Sequence, residues 1–213
     1  MNDPHSAGYH PRWEDVESDT HEPVRFRNPV RSTSNRISLA RTNPEWIQIF
    51  SARRAQLMRL HGVLEVHHVG STSVPGVPAK PIIDIDIVAD YKLISTTLTQ
   101  FIREGLFLTL HEPFWHEHYL LKNISATLNV HVFPNGCIIP DRDTNFRNLL
   151  KSSSSLAAEY TELKRKLARQ EWASVNDYAH AKSLFIVDAL KSSGYSAVCN
   201  CPPTQLQETV PIT

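Results

Sequence analysis

Residues 82–88 read Ile-Ile-Asp-Ile-Asp-Ile-Val. β-branched side chains this dense favour an extended strand. Side chains alternate along a strand, so Ile83, Ile85 and Ile87 share one face and Asp84 and Asp86 the other. The isoleucine face is a core face. The opposite face carries two carboxylates side by side, which repel each other, and one of them would take up a proton if desolvated alone. A divalent cation removes that conflict, and magnesium prefers one or two carboxylates completed by phosphate oxygens and water. Phosphoryl transfer uses that arrangement, because the metal offsets charge on the phosphates. The same alternation on a half-exposed antiparallel strand makes a plain polar face, so the neighbouring residues have to decide.

Upstream, Leu64 to Val69 reads as a strand that runs straight into Gly70-Ser71-Thr72-Ser73. Small residues there let backbone N–H groups and hydroxyls approach a phosphate. Residues 70–81 form a loop by composition, and Lys80 stands in it just ahead of the Asp-x-Asp strand, placed to neutralise phosphate. His67 and His68 face opposite ways, so one of them is buried and hydrogen-bonded. A third metal ligand is expected on a neighbouring strand. Asn129 and His131, two apart in TLNVHVF, are the candidates, as ligands, phosphate contacts or satisfied core polar groups; His131 is also a candidate general base. The stretch holding His111, Glu112, His116, Glu117 and His118 has no standard zinc spacing.

The remaining elements follow from periodicity. Asn43-Pro44-Glu45 opens a helix with Trp46, Ile49, Phe50, Leu57 and Leu60 on its apolar face and Gly62 at its end. Asp90 caps a helix with Leu93, Ile94, Leu98, Phe101 and Ile102 inward, ending at Gly105. Strands are expected at Leu106–Leu110, His118–Lys122 and Thr127–Phe133, the last two antiparallel around Lys122-Asn123. A helix follows over Asp143–Lys151. Leu156, Tyr160, Leu163 and Leu167 form a core stripe on the next. Ser174 and Asp177 make a capping box for a last helix carrying Val175, Tyr178, Leu184, Phe185 and Leu190. This is an α+β (or α/β) domain over residues 37–190: a mixed sheet with flanking helices and a C-terminal helical group. Residues 1–36 read as a flexible extension, or one that docks late, and 191–213 as a flexible tail.

Lys plus Arg and Asp plus Glu are both 22 in 213 residues, a formal net charge of zero. That argues against broad electrostatic capture of nucleic acid or an anionic membrane, and leaves room for a local basic pocket. No apolar run approaches a membrane span and no secretory signal is visible. The three cysteines, Cys137, Cys199 and Cys201, make no disulfide framework, so a reducing cytoplasm is expected.

Several segments together resemble the GrpB family, which is similar to the nucleotidyltransferase superfamily that includes DNA polymerase beta. They are Asn43-Pro44-Glu45-Trp46, His68 through Gly76 (HVGSTSVPG), Ala79 through Asp86 (AKPIIDID), Asn129 through Phe133, Phe146-Arg147-Asn148, Leu156 through Lys164, and Tyr178 with Lys182 and Phe185. The resemblance implies a nucleoside triphosphate (NTP) held with Mg2+ or Mn2+. Ser71 would contact the triphosphate, Asp84 and Asp86 would bind metal, and Arg147, Lys164 and Lys182 would line the same cleft. It implies transfer of a nucleotidyl group to a small-molecule acceptor. The superfamily's third acidic residue has no counterpart, since Asn129 or His131 stands there. Two alternatives follow: a nucleotide-binding module without catalysis, or a metabolite-modifying enzyme that uses the cleft without nucleotide.

Overall fold

The computed structural model describes residues 23–26, 36–198 and 200. The expectations for residues 1–22 and 27–35, for Cys199 and Cys201, and for most of the tail lie outside them.

Six strands form one sheet in the order β1-β4-β5-β6-β3-β2. They are β1 (Val24–Arg25), β2 (Val63–Val69), β3 (Ile83–Ala89), β4 (Leu106–Glu112), β5 (His118–Asn123) and β6 (Leu128–Pro134). The Asp-x-Asp strand, β3, sits inside the sheet, antiparallel to β2 and parallel to β6. The β5–β6 hairpin is antiparallel, as expected. Its turn is built by Asn123, whose side-chain oxygen accepts the N–H groups of Thr127 and Leu128. β1 comes from the N-terminal extension: Val24 and Arg25 pair with His111 and Leu110 at the free edge of β4.

Two helices cover one face, α1 (Glu45–Leu57) and α2 (Ile94–Arg103). With Ile83, Ile85, Ile87, Val130 and Leu121 they make the larger core, in which Trp46, Leu57 and Phe101 are buried. Each fully buried aliphatic there contributes about 1.5–3 kcal/mol. The caps follow the sequence: Asn43 Oδ1 accepts the Glu45 N–H, and Asp90 accepts the Lys92 N–H of a 3₁₀ turn, Tyr91–Leu93, that leads into α2. Ile49 and Ile102, expected inward, are instead exposed. The apolar pattern of α1 runs round the helix, with Ile47 exposed as well, so only part of it can face the core.

The opposite face meets α3 (Ile139–Ser152), α4 (Ser154–Ala168), α5 (Val175–His180) and α6 (Ser183–Ser192). Phe133, Phe146, Leu150, Tyr160, Val187 and Leu190 form a second core between them. α3 begins four residues earlier than Asp143, because Pro140 fits a first turn that needs no donor. The single last helix is in fact two, broken at Ala181-Lys182. The Ser174–Asp177 capping box is present. Leu184 is 76% exposed; Phe185 packs inward as expected, and Ile186 packs inward with it. Among the described residues no helix is long and apolar enough to cross a membrane.

Candidate functional site

Between the carboxylate face of the sheet and the C-terminal helices lies a cavity of about 560 Å³. Strand register decides what faces it. Asp84 pairs with Asn129 on β6 and with Val69 on β2; Asp86 pairs with His131 and His67. On β5, Lys122 stands opposite Asn129 and Leu120 opposite His131.

Gly70, Ser71 and Thr72 line the cavity with Lys80, Asp84 and Asp86. So do Asn129, His131, Arg147 and Lys182. Ser73 is the one expected contact turned away: it is buried, and its hydroxyl donates to the Gly70 carbonyl at 2.6 Å. Thr72 points back to its own strand, with Oγ1 3.1 Å from Nε2 of the buried His68. His68 also stacks on Phe50, so of the two adjacent histidines it is the core one, and His67 pairs with Glu65 at the surface. The Arg147 guanidinium donates to the His68 carbonyl at 2.9 Å, which ties α3 to the end of β2.

The two aspartates have different surroundings. Asn129 donates to Asp84 Oδ1 at 2.8 Å, and His131 Nε2 lies 3.9 Å from the same oxygen, beyond hydrogen-bond reach. Burial raises the Asp84 pKa, but His131, Asn129 and Lys80 more than offset it, and the net shift is down. Asp86 is 1% exposed, and its Oδ2 is buried without a hydrogen-bond partner. Burial first, then the Asp143 and Asp84 carboxylates, push its pKa well above the usual range, with His131 and Arg142 opposing.

A buried carboxylate oxygen with no donor is costly unless a cation faces it. Among the described residues no group of three or more His, Cys, Asp or Glu side chains stands close enough to hold a metal. The donor set is therefore the Asp84–Asp86 pair. It fits a hard cation whose other positions go to phosphate oxygens and water.

Lysines face this pair across the cavity. Lys164 on α4 is 2% exposed and donates to the Pro78 carbonyl beneath the Tyr160 ring. Burial, then the charge of Lys182, lowers its pKa to about 7. Lys182 lies 4.2 Å over the Tyr178 ring, and burial, then Lys80, lowers its pKa to about 8. Lys80 and Lys122 are also shifted down by burial, with Asp84 opposing. None of the four forms an ion pair among the described residues. The neutral chain has gathered four lysines around the carboxylate pair, from the sheet, the loop before β3 and the C-terminal helices, and a lysine cluster without ion pairs among the described residues is what a polyanionic ligand would relieve.

Lys122, Asp143, Glu112 and His118 escaped the sequence reading as site residues. Glu112 and His118 sat in the histidine-rich stretch, where zinc spacing was the wrong test. Parity along β5 would have aligned His118 with Lys122.

The model of the GrpB protein family matches residues 36–192. A UPF0157 protein of Halalkalibacterium halodurans is 39% identical over 158 residues, 73% of this chain and 81% of that one. One of Streptomyces coelicolor is 34% identical over 76% of this chain and 86% of its own. The crystal structure of the conserved protein GrpB from Enterococcus faecalis is similar with TM-score 0.61 and 27% identity, over 74% of this chain and all of that one. Cid1 poly(U) polymerase overlaps at TM-score 0.39 and 14% identity, over 59% of this chain and 45% of that one, too slight to carry a conclusion. The matched span runs across the whole sheet and the helices that close the cavity, and this chain belongs to the GrpB family.

Proposed function

We propose that this protein is a metal-dependent nucleotidyltransferase that moves a nucleotidyl group from an NTP to a small-molecule acceptor. The observation that carries this reading is the unpartnered Asp86 oxygen beside Asp84, in a cavity also lined by the buried Lys164 and the half-buried Lys80 and Lys182, which form no ion pair among the described residues. Asp84 and Asp86 would hold Mg2+ or Mn2+, which when bound offsets charge on the phosphates. Lys164, Lys182 and Lys80 bind and orient the triphosphate. Gly70 and Ser71 let backbone and hydroxyl donors approach it.

His131 stands next to Asp86 in the register and takes the proton from the acceptor hydroxyl. The acceptor O–H bond breaks as its oxygen bonds to the α-phosphorus. The bond from that phosphorus to the departing pyrophosphate breaks, and pyrophosphate carries away the electron pair.

The test is calorimetric titration with non-hydrolysable ATP, GTP, CTP and UTP analogues plus Mg2+. The wild type is compared with a folded Asp84→Asn/Asp86→Asn variant. Metal-dependent binding lost in the variant supports the reading; no binding of any analogue to the wild type sinks it. Asn129 beside Asp84, where a third carboxylate would stand, favours a second reading, a nucleotide-binding module without transfer. Tight binding with no turnover over a wide acceptor screen selects it; turnover that depends on Asp84 excludes it.

A further inference from the structure

The cavity floor continues past the aspartates toward β1. One cross-strand row follows from the registers. Asp86 stands beside His131 on β6, and His131 beside Leu120 on β5. Leu120 stands beside Leu110 on β4, and Leu110 beside Arg25 on β1. Arg25, Leu110 and Leu120 all line the cavity. Four strand spacings of about 4.8 Å separate the ends of the row, so the Arg25 backbone lies about 19 Å from that of Asp86.

Leu110 owes its place to the bulge in β4. Leu108 packs against the larger core, and residues two apart on a regular strand share a face. One extra residue around Thr109 reverses that parity, so Leu110 turns to the cavity. Thr109 fixes the bulge. Its hydroxyl donates to the Leu120 carbonyl at 3.0 Å, and its own carbonyl accepts the Phe26 N–H at 3.1 Å. The second bond also ties β1 to the sheet. Leu110 and Leu120 are half-buried, and neither belongs to a core among the described residues.

This floor suits an apolar body. Leucine side chains offer no hydrogen bond, so phosphate oxygens lying on them would lose water without replacement. The Gly70-Ser71 turn, which suits phosphate, ends β2 at the opposite edge of the sheet from β1. At the far end of the floor stands Arg25, exposed and without an ion pair among the described residues. Glu112, two residues from Leu110, is engaged by His118 at 2.7 Å. A guanidinium fork in that position matches a carboxylate or phosphate group.

We propose that Arg25, Leu110 and Leu120 form the acceptor subsite, and that the acceptor is a small organic acid bearing a hydroxyl. Its apolar body lies on the two leucines, its carboxylate or phosphate group meets Arg25, and its hydroxyl reaches toward Asp84 and Asp86. This rests on the nucleotidyl transfer proposed above. In-line displacement fits the layout: pyrophosphate leaves toward the Gly70-Ser71 turn while the hydroxyl enters from the β5 side. Arg25 lies outside residues 36–192, the span that the family model matches, so this end of the cavity is supplied by the N-terminal extension.

The test is methyl NMR of the full chain carrying ¹³C-methyl leucine, with Leu110→Ile and Leu120→Ile assigning the two resonances. The probes are para-hydroxyphenylpropionate, omega-hydroxyoctanoate and para-hydroxyphenylpropyl phosphate, each titrated beside its neutral amide or alcohol. The expected result is that at least one acid shifts both leucines. It should bind roughly fivefold tighter than its neutral counterpart, the upper end for an exposed ion pair. That preference should shrink as salt is raised. Arg25→Gln should abolish it and leave the neutral counterpart's affinity unchanged. Arg25 is exposed, so its loss spares the fold, which the leucine spectrum of the free variant checks. Leu120→Asn should weaken acid and neutral counterpart alike; should it fail to fold, Arg25→Gln still decides. The proposal is overturned if no probe acid binds, if binding shifts neither leucine, or if the acid preference survives Arg25→Gln. It is overturned too if NTP analogues with Mg2+ shift these leucines and the acids do not, because the floor then holds the nucleotide. Acid binding on the leucines in a chain that binds no NTP analogue sinks the proposed function and leaves the organic-acid subsite standing.

Discussion

Gly70 and Asp84 are packed so closely that a Cβ on Gly70 would lie 2.6 Å from Asp84 Oδ2 and 3.3 Å from Asp84 Cβ. The glycine also has φ +65°, a left-handed conformation that L side chains rarely adopt. The turn that ends β2 is thus fitted against the first carboxylate of the site. Gly70→Ala should cost about 1–3 kcal/mol of stability and push Asp84 off its present position. The measurable result is a lower Tm together with weakened metal-dependent nucleotide binding. A variant with both unchanged would show that turn and carboxylate are independent.

Asp86 predicts a trade between stability and binding. Its folded pKa is raised, so folding favours the protonated form and stability falls as pH rises from the unfolded carboxylate value through the folded one. Asp86→Asn keeps the shape and removes the ionisation. Without divalent cation and near neutral pH, the variant should be more stable than the wild type by about 1 kcal/mol or more. Thermal melts in EDTA read the gain, which should shrink as pH is lowered, and calorimetry reads the accompanying loss of cation binding. A less stable variant would mean that Asp86 has a partner this geometry lacks.

The lysine wall predicts a pH window for binding. Lys164 and Lys182 are pulled down to about 7 and about 8, so both lose charge just above neutrality. Triphosphate affinity should fall as pH climbs from about 7 toward 9, less steeply than the free values imply, because a bound anion raises both pKa values. Lys164→Met and Lys182→Met should each weaken the triphosphate analogue by roughly tenfold or more and flatten the salt dependence. Inorganic triphosphate titrated by calorimetry separates this charge effect from base recognition. Full affinity in both variants would place the phosphates elsewhere.

Much of the site could be read from period-two alternation alone. Asp84 and Asp86 share a face because they are two apart, and Ile83, Ile85 and Ile87, which alternate with them, are buried for the same reason. That Asn129 touches Asp84 while His131 stands 3.9 Å away depends on a parallel β3–β6 pairing, which no local pattern announces. Glu112 reaches His118 across a ladder whose register shifts between Leu108 and Leu110. One extra residue in a strand reverses which side chains face the cleft, and the sequence around Thr109 does not mark it. Lys164 entered only through family resemblance, since its charge on an amphipathic helix reads as solvated. The break at Ala181-Lys182 has neither Gly nor Pro to signal it. The exposure of Ile49, Ile102 and Leu184 has the same origin: periodicity finds an apolar stripe, and only the neighbouring layer decides how wide a stripe is covered.

Three histidines whose pKa values are pulled down by burial predict a loss of stability in acid. Burial lowers His68 to about 4, His116 to about 3 and His118 to about 4. Each has a folded pKa below its unfolded value, so the unfolded chain binds more protons as pH drops. Their stabilising contribution is complete above about pH 6.5 and is lost as pH falls from there toward the folded values. Each can cost up to about 1.4 kcal/mol per pH unit inside that window. Asp86 and His131, whose folded pKa values are raised, work in the opposite sense and stabilise the folded state on protonation, while Asp84, held below the usual carboxylate range, adds to the loss at the most acid end. Tm should hold between pH 7 and 8 and fall steadily below about 6.5. His68→Gln keeps a donor and acceptor for Thr72 and removes one titration; it should lower Tm at pH 8, where the Phe50 stack is lost, yet remove roughly a third of the histidine-linked decline. A wild-type Tm that is flat from pH 8 to 5, or a slope indifferent to His68→Gln, would show that these rings take up protons without leaving the fold.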